Sequence, residues 1–367
     1  MIIKSLELDN FRNYETLNIE FDSGTNIFYG DNAQGKTNIL ESIFMIATTK
    51  SHKGAKDQDM IRFDSDEAHI RTYLYKEEIT RQVDMHLRKG KTKGIAIDSQ
   101  RVKKAADLLG LLNVVFFSPE DLSIIKNSPA ERRRFMDMEL CQLDSFYLYN
   151  LSHYNQILNQ RNKLLKEMAK TPELAETLAI WDSQLASYGS KIIERREGFV
   201  EQLNEIINRI HYKLSGEKED LKLIYEKNSG AAELEEKIRQ NRNKDIYLKQ
   251  TTAGPHRDDL SFMVNGIDIR KFGSQGQQRT AALSLKLSEI EIVKKSIHDT
   301  PVLLLDDVLS ELDSNRQNFL LSEIKDIQTL ITCTGLDEFV KNRFEINKVF
   351  KVTNGSVKEM SKEDIEV

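Results

Sequence analysis

The sequence predicts an α/β fold in two parts, a strand–loop–helix domain interrupted by a long, mostly α-helical insertion. Three observations predict it. Gly30-Asp31-Asn32-Ala33-Gln34-Gly35-Lys36-Thr37 has the spacing of a phosphate-binding loop. From about Pro129 the texture becomes helical over a long span, after which β-type patterning returns. Pro301-Val302-Leu303-Leu304-Leu305 reads as a buried parallel strand and ends on two acids, Asp306 and Asp307.

The loop sits in the context its chemistry needs. Thr25-Asn26-Ile27-Phe28-Tyr29 ahead of it is rich in β-formers, and Ile39, Leu40, Ile43, Phe44 and Ala47 after it recur at helical spacing. Gly30 and Gly35 let the backbone curl with its N–H groups inward, and the helix adds the positive end of its dipole. Lys36 is then placed to reach the β- and γ-phosphates of a nucleotide, and the Thr37 hydroxyl to ligate Mg²⁺. A glycine turn that happens to precede a helix is the bland alternative, and the flanking strand and helix count against it.

A chain of 367 residues is long for a single core, so two lobes are expected. With 39% hydrophobic and 30% charged residues it reads as a soluble globular protein. Charge interrupts Met1-Ile2-Ile3-Lys4-Ser5-Leu6-Glu7 too early for a signal peptide, and no apolar run nears the roughly 20 residues of a bilayer span. Cys141 and Cys333 stand alone, without metal-ligand spacing, which predicts reduced thiols in a cytosolic protein. A net charge of −5 excludes a wholly basic nucleic-acid binder, so any such contact must use local basic patches.

Taken in order, Ile2, Lys4, Leu6 and Leu8 share one face of a first strand, and Leu17, Ile19 and Phe21 one face of a second. Between them Asn10-Phe11-Arg12-Asn13-Tyr14 is a polar turn with aromatic anchors. A Lys/His/Asp-rich segment, Lys50 to Asp59, follows the loop helix, and then His69–Tyr75 and Ile79–Met85 alternate as strands do. Arg88-Lys89-Gly90-Lys91-Thr92-Lys93 forms a basic hairpin tip, either a DNA contact or an ordinary solvated turn. Leu112–Phe117 is another buried strand, ended by Ser118-Pro119-Glu120.

In the helical span Leu151, Tyr154, Leu158, Leu165 and Met168 make a heptad-like stripe that Arg161 breaks. Thr171-Pro172 marks a turn. Leu174, Leu178, Trp181, Leu185, Tyr188, Ile192, Phe199, Leu203, Ile206 and Ile210 continue as a second stripe. Two helices packed antiparallel are the simplest reading, and a helix of about forty residues extends roughly 60 Å. Strand character returns at Leu221–Tyr225, a helical connector spans Ala232 to Gln240, and Thr252–Asp259 is an unusually polar loop. Leu260–Val264 is a strand with a hairpin turn at Asn265-Gly266.

Phe272-Gly273-Ser274-Gln275-Gly276-Gln277-Gln278-Arg279 then opens a helix with Leu283, Leu287 and Ile290 on its inner face. Alone, Ser274 reads equally as an N-cap. Asp306, at the carboxyl tip of its strand, is placed to hold Mg²⁺, and Asp307 to orient or deprotonate an attacking water. Ser310-Glu311-Leu312-Asp313 and the strand Thr329–Thr334 follow.

Phosphate loop, helical insertion, Ser-x-Gly-Gln loop, acidic strand tip and Ser-x-Leu-Asp turn, in this order, resemble the head of an ABC-type ATPase. Asn10–Tyr14, Gly254-Pro255-His256-Arg257-Asp258-Asp259, Gly273–Gln277 and the segment from Pro129 through Arg132-Arg133-Arg134-Phe135-Met136-Asp137 resemble the RecF family of bacterial recombination-mediator ATPases, and the similarity runs along essentially the whole chain. The resemblance implies an α/β, ABC-type (SMC-like) P-loop ATPase head built from residues 1–125 and 250–367, with residues 126–249 as an inserted, mostly α-helical second lobe. It implies ATP and Mg²⁺ as ligands, and a weak, DNA-stimulated ATPase. It implies an ATP-dependent homodimer on DNA at gaps and duplex/single-strand junctions, single strands also being admitted. With RecR and RecO such a protein helps load RecA, in support of repair, replication restart and the SOS response, in the cytoplasm on the nucleoid.

In such heads ATP is sandwiched between two subunits. Ser274, Gln275, Gly276 and Gln277 of one subunit would complete the γ-phosphate site of the other, so that Lys36, Asp307 and, in trans, Ser274 form the catalytic set. The resemblance further implies that Arg12 and Asn13 lie near the nucleotide and Asp313 near the dimer seam. Contacts to ATP that exist only in the dimer are what drive association.

Three departures from the ABC pattern stand out. Phe117-Ser118-Pro119-Glu120-Asp121 stands where many such proteins carry a glutamine loop, Thr332-Cys333-Thr334 where many carry a switch histidine, and Asp307 where many carry glutamate. Modest turnover is expected. Candidate DNA contacts are Arg88, Lys89, Lys91, Lys93, Lys103, Lys104, Arg132, Arg133 and Arg134, the triple arginine reading equally as an internally paired helix face. A ring-forming DNA tether is disfavoured by the short insertion and missing hinge, and a transporter subunit by the polar motifs and the insertion's size. An ATP-gated scaffold, in which hydrolysis is incidental, stays open.

Overall fold

The computed structural model describes residues 1–168, 176–336 and 346–361. They form two compact units, Met1–Asp121 with Glu289–Val367, and Leu122–Ser288. The predicted turn at Thr171-Pro172 and the stripe position Leu174 lie outside the described residues. Among the described residues no helix is long and apolar enough to cross a membrane.

The first unit holds two sheets. One has the spatial order Ser356–Glu359, Lys348–Thr353, Thr25–Tyr29, Thr329–Cys333, Val302–Asp306 and Val114–Phe117. Its neighbours are parallel except at the Ser356–Glu359 edge. Parallel strands are covered on both faces and so read as unbroken apolar runs. That is why Val114–Phe117 and Val302–Leu305, all buried, were visible in the sequence. The helix Lys36–Thr48 lies on this sheet and buries Ile39, Leu40, Ile43 and Phe44.

The other sheet is antiparallel, in the order Tyr14–Glu20, Ile2–Phe11, Glu67–Lys76, Ile79–Arg88, Gly94–Ile97 and Gln100–Arg101. Leu17, Ile19 and Phe21 are buried together as expected. The first strand differs from its reading. Its register shifts between Ile3 and Ser5, so Ile3, Leu6 and Leu8 face the core while Lys4 is exposed. An extra residue in one strand moves everything before it to the opposite face.

The second unit is built on the helices Pro129–Leu143, Ser145–Glu167 and Leu178–Leu214. The last has 37 residues and is therefore about 55 Å long. Ser145–Glu167 and Leu178–Leu214 run antiparallel, since Asp144 meets Arg195, Tyr149 meets Tyr188 and Arg161 meets Asp182. Tyr154, Leu165, Leu185, Ile192, Phe199, Leu203 and Ile206 are buried, as the stripes predicted. Arg161 breaks the first stripe because it is itself buried, bonded to Asp182 (2.7 Å), Asp245 (2.7 Å) and the Thr251 hydroxyl (2.8 Å).

Residues 250–288, joined to the first part by the sequence reading, fall in the second unit. The reason is strand pairing. Asp259–Val264 lies antiparallel to Leu221–Glu226 and turns through Asn265-Gly266 into Ile267–Asp268, closing a three-stranded sheet. The polar loop before it is held by buried charge: Arg196 donates to the Pro255 carbonyl (2.8 Å) and to Asp137 (2.8 Å), and Arg132 forks onto Asp259. Gly254 has φ 132°, and a Cβ there would lie 2.3 Å from the Tyr154 hydroxyl, so only glycine fits.

Candidate nucleotide-binding site

The phosphate loop leaves the carboxyl end of Thr25–Tyr29, a strand flanked by parallel neighbours, which is where such sheets bind ligands. Gly35 caps the following helix with φ 111°, and a Cβ there would sit 2.4 Å from the Asn13 side chain. No side chain caps this helix, the Asn38 N–H turning back to the Gly35 carbonyl at 2.9 Å, and an uncapped helix start of this kind suits an anion. The Lys36 ammonium donates to the carbonyls of Gly30 (2.6 Å) and Asp31 (3.0 Å), which holds it over the loop.

The acidic strand tip meets the loop directly. The Thr37 hydroxyl donates to Asp306 Oδ1 at 2.8 Å, and the Thr332 hydroxyl donates to the same oxygen at 2.8 Å. Thr332 in turn accepts the Asp307 N–H at 2.9 Å. Parallel register explains this meeting, because Asp306 and Thr332 are partners across their strands. Burial raises the Asp306 pKa above the usual carboxylate range, and the two hydroxyls oppose that shift. A hydroxyl and a carboxylate oxygen in contact are hard donors of the kind Mg²⁺ takes, so Thr37 and Asp306 fit that ion. Asp307 has φ 51°, a conformation non-glycine residues seldom adopt and one that concentrates at functional sites.

The turn after the first strand is pinned to the loop. Asn13 Nδ2 donates to the Gln34 carbonyl (3.0 Å), Asn13 Oδ1 accepts from Asn38 (2.8 Å), and the Tyr14 hydroxyl donates to the Gly35 carbonyl (3.1 Å). Asn13 is therefore bonded to the loop backbone. Arg12, next to it, forks onto Glu41 of the loop helix, through Nε (2.9 Å) and Nη2 (3.2 Å). Sequence reasoning passed over Glu41, Ser51, His52 and the bonds of Thr332. Only Glu41 carried a signal, a lone acid among the apolar positions of an inner helix face. His52 packs against Phe116 at 4.5 Å, and burial lowers its pKa while Glu41 opposes the shift.

Ser274 begins the helix Gln275–Ile297, which starts in the second unit and ends in the first. Its hydroxyl accepts the Gln277 N–H (3.2 Å) and Gln277 Oε1 accepts the Ser274 N–H (2.9 Å), a reciprocal capping box. Ser274, Gln275 and Gly276 are exposed. Asp313 is exposed and caps the helix Ser314–Glu323, accepting from the backbone of Asn315 and Arg316.

Two basic candidates are corrected. Arg132 is 1% exposed, with its guanidinium committed to Asp259 and to the carbonyls of Ile124 and Asn127, so it has no face for DNA. Lys93 turns inward onto Asp57 (2.8 Å) and the Thr49 carbonyl. Arg133 also donates inward, to the Asp258 carbonyl at 2.7 Å, and Arg134 is half-buried. Arg88, Lys89, Lys91, Lys103 and Lys104 are exposed, Lys89 beside Asp66 at 3.4 Å. Cys141 and Cys333 are thiols.

A phosphate loop on a central parallel strand, an acid on a nearby strand tip and a helical insertion define an SMC-like, ABC-type P-loop ATPase head. The model for the RecF/RecN/SMC N-terminal domain matches residues 2–358. The DNA replication and repair protein RecF of Agathobacter rectalis is 62% identical over 357 residues, covering 97% of this chain and 99% of its own. That of Clostridium tetani is 45% identical over 364 residues, covering 97% and 99%. The solved structure of the recombination mediator protein RecF–ATP in the RecFOR pathway aligns with a TM-score of 0.92 at 34% identity, over 98% of this chain and 97% of its own. The Smc head bound to the C-winged helix domain of ScpA shares the fold, with a TM-score of 0.58 at 17% identity and full coverage of both chains. The chain belongs to the RecF family, within the broader RecF/RecN/SMC N-terminal domain family.

Proposed function

We propose that this protein is an ATP-dependent DNA-binding ATPase of recombinational repair and replication restart. The observation that carries the reading is the single Asp306 oxygen shared by Thr37 of the phosphate loop and Thr332 of the neighbouring strand. It couples the group that would hold phosphate to the acids that would handle metal and water. The names of the relatives, DNA replication and repair protein RecF and recombination mediator protein RecF–ATP, support the same reading.

In this proposal the loop from Gly30 to Gly35 and Lys36 bind the phosphates, with Arg12 and Asn13 beside them. Thr37 and Asp306 hold Mg²⁺, which when bound neutralises phosphate charge. Asp307 orients the attacking water, and Thr332 keeps Asp306 and Asp307 in register. Met1–Asp121 with Glu289–Val367 act as the ATPase head, and Leu122–Ser288, which carries the Ser274 cap, as the second lobe. The Ser274–Gln277 cap, exposed at Ser274, Gln275 and Gly276, serves the ATP of a second copy, with Asp313 near the seam. ATP thus drives a homodimer on gapped or junction DNA, contacted through Arg88, Lys89, Lys91, Lys103 and Lys104, and slow, DNA-stimulated hydrolysis resets it. The partners are RecR, with RecO and RecA functionally, in the cytoplasm on the nucleoid, and the outcome is RecA loading in support of the SOS response.

Sedimentation of the Asp307→Asn variant tests this. The expected result is a monomer with ADP, a dimer with ATP, and a monomer again when Ser274→Arg is added. A monomer in both nucleotides, with gapped DNA present, would refute the trans role of Ser274.

A further inference from the structure

Glu41 is 1% exposed and lies one turn beyond Thr37 on the loop helix, beside the apolar Ile39, Leu40 and Ile43. A carboxylate so placed persists only if it is paired. Its Oε2 accepts Arg12 Nε, and its Oε1 accepts Arg12 Nη2 together with the Ser51 hydroxyl. Arg12 Nη1 donates to the Asp59 carbonyl at 3.0 Å. Among the described residues these bonds engage three of the five donors of a guanidinium and fix its plane, leaving two for a ligand.

The backbone of Arg12 is fixed as tightly. It has φ 56°, its N–H donates to the Met60 carbonyl at 2.7 Å, and the adjacent Asn13 and Tyr14 are bonded to Gln34 and Gly35. A non-glycine residue in that conformation, held by these three bonds beside a phosphate loop, is pre-organised for a task.

We propose that Glu41 is a positioning residue: its carboxylate aims the Arg12 guanidinium at the phosphates of a nucleotide in the Gly30–Thr37 loop. Ser51 ties the segment after the helix to the same carboxylate. The inference rests on the nucleotide reading above. Glutamine at position 41 keeps the shape and loses the charged fork. Lysine at position 12 keeps the charge and cannot make a fork.

The experiment measures the affinity of the full chain for a fluorescent ATP analogue with Mg²⁺, alongside thermal unfolding without nucleotide. Glu41→Gln, Arg12→Ala and Arg12→Lys are each expected to weaken binding about tenfold, and the double variant Arg12→Ala/Glu41→Gln no further than Arg12→Ala alone. An Arg12→Ala loss with parental affinity in Glu41→Gln would overturn the positioning role. If Glu41→Gln fails to fold, Arg12→Lys decides: parental affinity overturns the fork, and a tenfold loss supports it. Parental affinity in Arg12→Ala overturns the inference while leaving the phosphate loop standing, provided Lys36→Ala still abolishes binding. Parental affinity in Lys36→Ala instead refutes the nucleotide reading itself.

Discussion

The hydroxyl of Thr332 donates to Asp306 and accepts the backbone N–H of Asp307, so one side chain sets the position of both acids. Thr332→Val keeps the shape and leaves a half-buried N–H and a buried carboxylate oxygen short of a bond, a loss of about 1–3 kcal/mol. ATP turnover is expected to fall about tenfold or more with nucleotide affinity retained, because the variant leaves Lys36 and the loop untouched. Steady-state hydrolysis at the parental rate would remove Thr332 from the machinery. His256 makes a second residue-scale case. Burial pushes its pKa from 6.5 down to about 4, with Tyr154 at 2.6 Å on one ring nitrogen and the Thr251 carbonyl at 3.1 Å on the other. The unfolded chain then takes the proton first, so this group's stability is present above pH 6.5 and is lost as the pH falls towards 4. Asp258, whose pKa burial raises, acts with the opposite sign. His256→Gln should therefore flatten the decline in urea midpoint between pH 7 and pH 5, and an unchanged slope would contradict the assignment.

The elements of the second unit are joined by buried charge as much as by apolar stripes. Arg161, Asp182, Asp245 and Thr251 tie two long helices to a short one and to the polar loop, and Arg196 with Asp137 and Asp258 does the same a few turns away. Arg161→Met roughly preserves volume but removes the buried charge shared by Asp182 and Asp245, leaving Asp182 with Arg242 and Asp245 with Thr252. The expected cost is a few kcal/mol, roughly 2–4, seen as an earlier urea transition. A shift under about 1 kcal/mol would mean that Arg242 and Thr252 alone satisfy the two carboxylates. The same geometry explains why the Gly254–Asp259 motif and Arg132-Arg133, far apart in sequence, belong together: the arginines serve that loop.

At the scale of the whole molecule, a net charge of −5 leaves the proposed DNA affinity to local patches. With Arg132 and Lys93 turned inward, Lys103 and Lys104 are the exposed pair to test. If both meet phosphates, Lys103→Glu/Lys104→Glu should weaken duplex binding and reduce the slope of log affinity against log salt by about 2. An unchanged slope removes them from the interface. An assay of the proposed RecA loading on gapped DNA with Asp307→Asn separates the two remaining readings. Intact loading favours an ATP-gated scaffold, and failed loading favours hydrolysis as the reset.

The sequence by itself determined the local features: the loop spacing, the apolar parallel strands, the helical stripes and the Asn265-Gly266 hairpin. Each follows from periodicity or from backbone conformations that few residues allow, and such constraints act over a few neighbouring positions. The tertiary structure decided what depends on long-range register. Thr332 meets Asp306 only because their strands pair in parallel, and Glu41 meets Arg12 only because a turn folds back onto the loop helix. Lys4 faces out because of one register shift, and residues 250–288 join the second unit because their strand pairs with Leu221–Glu226. Polar partners chosen across such distances leave no periodic trace in the chain, since a single hydrogen bond needs only one suitable residue at each end.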